Sequence, residues 1–96
     1  MSKRNNVNEN LEEYAQREEI LDALEQDFVD SLVKLRKDKN LTQQEIADDA
    51  SVIRETIARI ENRITSPQVN TLLKILEPLG YTIKITKISK KKEKLD

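Results

Sequence analysis

The stretch Leu41–Asn62 constrains the fold most, because it predicts two short helices joined by a tight turn. Thr42 suits an N-cap, and Glu45 follows three residues later. Such a pair forms a capping box, in which each side chain bonds the other residue's backbone amide. The first helix is expected to end near Ala50-Ser51-Val52. The second is predicted to run from about Ile53 to Asn62.

The second predicted helix has two chemically different faces. At about 100° per residue, Ile53, Ile57 and Ile60 fall on one side, which we expect to face the core. The opposite side carries long hydrogen-bonding side chains around a small alanine, namely Arg54, Glu55, Ala58, Arg59 and Asn62. A major groove admits such a helix, and arginine bonds guanine there through two atoms. This face therefore suits base reading; alternatively, Glu55 and Arg59 form only an i,i+4 surface pair.

These segments resemble the Cro/phage-repressor (XRE-type) helix-turn-helix proteins. The matching segments are LTQQEIA, the turn, RETIARIEN and SPQVNTLLKIL, and the resemblance extends over about Phe28 to Gly80. Three positions depart from the family pattern. Ser51 stands in the turn where the family usually has glycine, Ile53 stands where it has a capping Ser or Thr, and Arg63 stands where a glycine commonly follows Glu-Asn.

The resemblance also implies roles for individual residues. Base contacts are implied for Arg54, Glu55 and Arg59. Arg36 is implied to pair with Glu61, either as a buried structural pair or as a weak exposed one. A further set is expected to contact the DNA backbone and fix the register on the duplex: Thr42, Gln43, Asn62, Thr65 and Ser66.

An acidic amphipathic segment precedes the domain. Residues 1–33 carry 3 basic and 9 acidic side chains, whereas the whole chain has a net charge of −1. Residues 1–9 are expected to be disordered, and residues 10–26 to form an acidic helical extension. A break is expected between Gln16 and Gln26, because the family's first helix begins near Asp27.

This extension is expected either to pack back on the domain or to meet another protein. A basic partner would be attracted by its acidic side chains. The apolar candidates for contact with that partner are Leu11, Tyr14, Ile20, Leu21 and Leu24.

The last predicted helix begins with Ser66 as N-cap and Pro67 at its first position. Pro78 is expected to shorten its final turn, and Gly80 to end it. The helix-turn-helix domain is assigned to residues 27–80. The core face of this helix is expected to comprise Val69, Leu72, Leu73, Leu76 and Leu79.

Apolar and polar residues alternate strictly over residues 81–86, which predicts a strand. This strand is assigned to residues 81–88. Because a lone strand has no backbone partner, we expect pairing with a second copy, with Tyr81, Ile83 and Ile85 on the buried face. The alternative is an unstructured tail. Residues 89–96 are expected to be a basic tail. The predicted fold is mainly α, a five-helix phage-repressor-like domain with an added N-terminal helix and one C-terminal strand that pairs across a dimer.

The composition argues against catalysis. The chain has no Cys or His and only one Gly, which removes disulfides, the commonest zinc ligands and a glycine-rich phosphate loop. No apolar run is long enough to span a membrane, and no signal-peptide pattern opens the chain. We therefore expect a cytoplasmic protein that is not an enzyme and has no metal, small-molecule cofactor or membrane partner.

Within the XRE-type proteins, the small size, acidic N-terminal helix and trailing strand resemble HigA-type antitoxins. The resemblance implies an antitoxin that binds operator DNA, represses its own operon, and neutralises a RelE/HigB-like mRNA-cleaving toxin by direct binding. The alternative is a free-standing phage or plasmid repressor without a toxin partner. A third interpretation is an interaction module that has lost DNA binding.

Overall fold

The computed structural model describes the backbone of residues 7–88 and the side chains of residues 16–88. Its regular elements are α1 (Val7–Asp38), α2 (Gln43–Ala50), α3 (Arg54–Glu61), α4 (Val69–Leu76) and a 3-10 helix (Glu77–Leu79). The mainly α class is confirmed. The five-helix count is wrong for the described residues, because the N-terminal extension and the first domain helix form one element.

α1 is continuous, so the predicted break between Gln16 and Gln26 is wrong. Neither Gly nor Pro occurs in this helix, and its backbone hydrogen bonds are therefore not interrupted. Residues 7–9, which were expected to be disordered, form its first turn, and residues 1–6 lie outside the described part. Val29 and Leu32 anchor the C-terminal half in the core.

The core lies where the four helices meet. Ala47 and Ala50 are buried on α2, and their small side chains let α2 approach its neighbours closely. This packing fixes α3 with one face inward and the other outward. The buried cluster comprises Leu32, Ile46, Ala47, Ala50, Ile57, Ile60, Ile75, Leu76 and Leu79.

The local signals around α2 are confirmed. Thr42 Oγ1 accepts from the Glu45 amide at 3.1 Å, and Glu45 Oε1 accepts from the Thr42 amide at 2.8 Å. Ser51 then takes a left-handed conformation, with φ of 60°. Ile53 precedes α3 and makes no side-chain cap. Its side chain is 65% exposed, so the expectation that it faces the core is wrong; a residue outside the helix does not follow the helical period.

α4 begins later than predicted, with Gln68 at its N-cap and Val69 as its first residue. Ser66 therefore does not cap it, and Pro67 lies in the preceding connection. Val69 and Leu73 are exposed, whereas Ile75 is fully buried. Ile75, Leu76 and Leu79 form the buried face, at the three- and four-residue steps of a helix, and Leu72 is only partly buried.

The end of the helical domain agrees with the sequence. Pro78 lies in the 3-10 helix that tightens the last turn, and Gly80 ends it with φ of 87°. Beyond it, residues 81–88 have no regular secondary structure, so the predicted strand is wrong for a single chain. A strand needs a neighbour to complete its hydrogen bonds, and residues 7–88 of one copy offer none. No helix in this part of the chain is long and apolar enough to cross a membrane.

Candidate nucleic-acid interface

α3 separates an apolar face from a polar one. Ile57 and Ile60 are buried, whereas Arg54, Glu55 and Arg59 are exposed on the opposite side. We call these three residues the outer face of α3. Because the buried isoleucines fix the rotation of the helix, the outer face is held toward solvent.

Glu55 and Arg59 pair with each other on this face. Arg59 Nη2 donates to Glu55 Oε2 at 2.8 Å, and the two side chains are 59% and 51% exposed. An i,i+4 pair in water contributes only about 0.2–0.5 kcal/mol. The pair is therefore easily opened, and either side chain is free to bind a ligand that offers a better partner.

The sequence resemblance implied a pair between Arg36 and Glu61, and the structure joins them by two hydrogen bonds. Arg36 Nε donates to Glu61 Oε2 at 2.7 Å, and Arg36 Nη2 donates to Glu61 Oε1 at 2.8 Å. The side chains are only 13% and 7% exposed. The fork geometry and low exposure fix the C-terminal end of α3 against α1.

The pair continues into a network that reaches the outer face of α3. Gln43 Nε2 donates to Glu61 Oε1 at 3.0 Å, and Gln43 Oε1 accepts from Arg54 Nη1 at 3.1 Å. Burial alone would raise the pKa of the Glu61 carboxyl, but hydrogen bonds from Arg36 and Gln43 outweigh burial and lower that pKa. The carboxylate is thus charged at neutral pH, and the network holds Arg54 in position.

The N-terminus of α2 opens onto a shallow depression. Lys37, Thr42, Gln43 and Arg54 line it together with neighbouring residues. The capping box engages the amides of Thr42 and Glu45. The amides of Gln43 and Gln44, the first two residues of α2, have no partner within the helix, and both residues line the depression. Cationic side chains beside free amides at a helix N-terminus suit an anion such as a phosphate.

The remaining backbone-contact candidates lie at and beyond the C-terminal end of α3. Asn62 is the C-cap of α3, and Thr65 and Ser66 follow in the exposed connection to α4. The predicted placement of Ser66 at the N-terminus of α4 is wrong, since Gln68 occupies the cap. The five candidates thus form two groups, Thr42 and Gln43 at the N-terminus of α2, and Asn62, Thr65 and Ser66 directly after α3.

The candidate partner-contact residues lie on α1 between residues 11 and 24. Ile20, Leu21 and Leu24 are exposed large apolar side chains. The side chains of Leu11 and Tyr14 lie outside the described residues. All side chains from Gln16 to Leu24 are exposed, so over this stretch the extension adds nothing to the core, although Asp22 bonds Arg63.

The C-terminal segment borders an apolar groove of about 370 Å³. Phe28 and Leu35 of α1, Leu76 of α4, and Tyr81 contribute to its lining. Tyr81, Ile83 and Ile85, the residues expected at a dimer contact, are all exposed in the single chain.

Sequence reasoning missed the role of Arg63. Its side chain reaches α1 and bonds Asp22, Glu25 and Gln26. These partners lie 37 to 41 residues earlier in the chain, so no local pattern predicts the contact. The one available signal was an arginine at a position where the resembling proteins commonly have glycine.

Known proteins resemble the chain in sequence and in structure. A family model described as helix-turn-helix matches residues 32–85. An uncharacterized HTH-type transcriptional regulator of Haemophilus influenzae is 36% identical over 81 residues, which cover 83% of each protein. A chain from a toxin–antitoxin module of Streptococcus pneumoniae superposes with a TM-score of 0.62 at 35% identity, and the match covers 74% of this chain and 79% of that one.

Proposed function

Because the chain belongs to the XRE-type helix-turn-helix family of transcription regulators, we propose that it is an antitoxin that represses its own operon. In this proposal it binds operator DNA and neutralises a RelE/HigB-like mRNA-cleaving toxin by direct contact. The observation that carries the DNA-binding part is the outer face of α3, held toward solvent by buried Ile57 and Ile60. The likeness to a chain from a toxin–antitoxin module supports the second part.

Sequence reading rests on the outer face of α3. Arg54 and Arg59 suit the O6 and N7 atoms of guanine, and Glu55 suits the amino group of cytosine. Opening the exposed Glu55–Arg59 pair costs little, as its accessibility indicates. The bond from Arg54 to Gln43 limits the motion of that guanidinium before DNA arrives.

Register on the duplex is assigned to two groups, one at the N-terminus of α2 and one directly after α3. Thr42 and Gln43 border the depression at the N-terminus of α2, while Asn62, Thr65 and Ser66 lie in or beside the exposed connection to α4. Contacts of this kind with phosphates position a protein without reading sequence. Replacing Gln43 by alanine is expected to weaken binding to all duplexes similarly. A changed sequence preference would contradict this placement.

The proposed toxin-binding surface is the exposed part of α1 over residues 11–24. Ile20, Leu21 and Leu24 are exposed among acidic side chains, and Leu11 and Tyr14 precede them on the same helix. A protein that binds RNA is commonly basic, so the charges are complementary. The exposed apolar side chains supply anchors at the centre of such a contact.

We further propose a homodimer in which Tyr81, Ile83 and Ile85 meet a second copy. Their exposure, together with the apolar groove beside Tyr81, leaves apolar surface uncovered in the single chain. A two-fold dimer presents two copies of α3 to an inverted repeat with half-sites roughly 34–36 Å apart. Ile83→Pro is expected to yield a monomer by sedimentation, whereas a persisting dimer would place the interface on the helices.

Co-expression tests the antitoxin function. The protein encoded beside this gene is induced in a host without either gene, and growth is measured with and without the present chain. The chain is expected to restore growth, and the double variant Ile20→Glu/Leu21→Glu to lose that ability while retaining operator affinity. Arg54→Ala, the matched control, is expected to restore growth but to lose operator affinity.

Two results would contradict parts of this proposal. A neighbouring product that neither arrests growth nor binds the chain favours a free-standing repressor. Rescue by the double variant would show that Ile20 and Leu21 are not part of the toxin contact.

A further inference from the structure

Ile53 is an apolar side chain that the domain leaves uncovered at the N-terminal end of α3. It directly precedes Arg54, the first residue of α3, and is 65% exposed. Single exposed apolar side chains are common on protein surfaces and alone indicate nothing. This one, however, adjoins in sequence the outer face of α3, the face proposed to read bases, so its chemistry bears on what α3 recognises.

Isoleucine at this position gives up a stabilising interaction. A hydroxyl at an N-cap accepts a hydrogen bond from a free amide of the first turn, as Thr42 does for the Glu45 amide at the start of α2. Ile53 occupies the N-cap of α3 and makes no such bond. It therefore neither caps the helix nor fills the core. A residue that breaks a local rule without a structural gain is expected where function requires it.

The backbone holds Ile53 firmly at the start of α3. The amide of the preceding residue, Val52, donates to the Ala47 carbonyl at 2.9 Å, and the Ile53 carbonyl accepts from the Thr56 amide at 3.0 Å. The branched Cβ of isoleucine restricts its side-chain rotamers further. The apolar group thus has little conformational freedom to lose on binding, which favours recognition of a ligand.

The major groove offers a matching apolar group. Of the groups that distinguish the base pairs there, only the C5 methyl of thymine is apolar, and apolar side chains contact it. A recognition helix presents its N-terminal residues to the base edges, which brings Ile53 to the bases together with Arg54. Arg54 and Glu55 supply the polar part of the readout, whereas Ile53 can contribute only an apolar contact.

We propose that Ile53 is a specificity-determining residue that recognises a thymine through its C5 methyl group. The inference rests on the proposed DNA binding and adds one base preference to it. Burying a single methyl group against the isoleucine favours thymine about fourfold over the same base without the methyl. Deoxyuridine is that base, because it pairs with adenine as thymine does and lacks only the methyl group.

Replacement of thymines by deoxyuridine tests the proposal on the full-length protein. The probe is a duplex selected from random sequences for binding to the wild type, and each of its thymines is replaced in turn. Fluorescence anisotropy is expected to show one thymine in each half-site at which the replacement weakens wild-type binding about fourfold. Ile53→Ser is expected to bind the original duplex more weakly than the wild type does, and to bind the original and the replaced duplexes equally.

Two further variants separate methyl recognition from effects on folding and on general apolar surface. Ile53→Val keeps a smaller branched apolar side chain and is expected to retain part of the sensitivity to the methyl group. Val69→Ser removes another exposed apolar side chain, which is 62% exposed at the start of α4, and is expected to retain all of it. Ile53→Ser itself should be at least as stable as the wild type, because its hydroxyl can cap α3.

Two outcomes would overturn the proposal while leaving DNA binding intact. The first is a selected duplex in which no thymine is sensitive to the loss of its methyl group. The second is sensitivity that persists in Ile53→Ser, which would assign the methyl contact to another residue. Failure to select any duplex would refute the proposed function, and the role of Ile53 with it.

Discussion

Replacing Glu61 by alanine removes the acceptor at the centre of the buried network. Glu61 accepts two hydrogen bonds from Arg36 and one from Gln43. After the change, Arg36 keeps only its bond to the Leu41 carbonyl at 3.0 Å. The guanidinium is then a largely buried cation without a counter-charge.

The magnitude follows from this burial. Removing one partner of a fully buried ion pair costs about 3–5 kcal/mol. Arg36 is 13% exposed, so water partly solvates the orphaned cation, and we expect a loss near the lower end, about 3 kcal/mol. Native domains are stable by only about 5–15 kcal/mol, so this change removes a large share of the stability.

Urea unfolding followed by circular dichroism measures the loss. With a slope of about 1 kcal/mol per molar for a small domain, the midpoint is expected to fall by about 3 M. Glu55→Ala is the matched control, because it breaks an exposed pair with Arg59 and should cost under about 1 kcal/mol. Equal shifts for the two variants would show that the Arg36–Glu61 pair contributes no more than a surface pair.

Three further predictions concern stability. The pKa of Glu61 in the folded protein lies below its ordinary value of 4.5. The contribution of the Arg36–Glu61 pair to the free energy of unfolding is therefore fully present above that pH and is lost as the pH falls through the folded-state pKa. Glu61→Gln should flatten the pH dependence of stability in acid unfolding curves. Gly80→Ala should cost about 1–2 kcal/mol from backbone strain alone, because a Cβ there meets nothing within 4 Å; an unchanged urea midpoint would contradict this. Ile53→Ser should add about 1 kcal/mol by capping α3, since the isoleucine is exposed and makes no cap; an unchanged thermal midpoint would show that the amides of α3 are already satisfied.

Local interactions made part of the fold predictable. The Thr42–Glu45 capping box and the left-handed Ser51 depend on residues within a few positions, and the sequence contains both partners. Gly80 likewise marks the end of the last turn by its own backbone freedom. The exposure of Ile53 was not predicted, because a helical period was extended one residue beyond the start of α3.

Features that depend on contacts between distant parts of the chain were not predicted from the sequence. Residues 16–26 contain no helix breaker, and the expected break came from the resemblance rather than from any residue. The strand over residues 81–88 depends on a partner that the single chain does not supply. Arg63 acts through contacts on α1 that only the folded arrangement of helices creates.

The most direct test of the account is the affinity of the outer face of α3 for specific and random DNA. Fluorescence anisotropy compares the wild type, Arg54→Ala and Arg59→Ala on an upstream operator duplex and on a scrambled duplex, with Arg17→Ala as a charge-matched control. Either outer-face variant should lose about 1–3 kcal/mol on the operator and much less on the scrambled duplex, while Arg17→Ala stays near wild type. Equal losses on both duplexes would show that these arginines contact only phosphates and that α3 does not read the sequence.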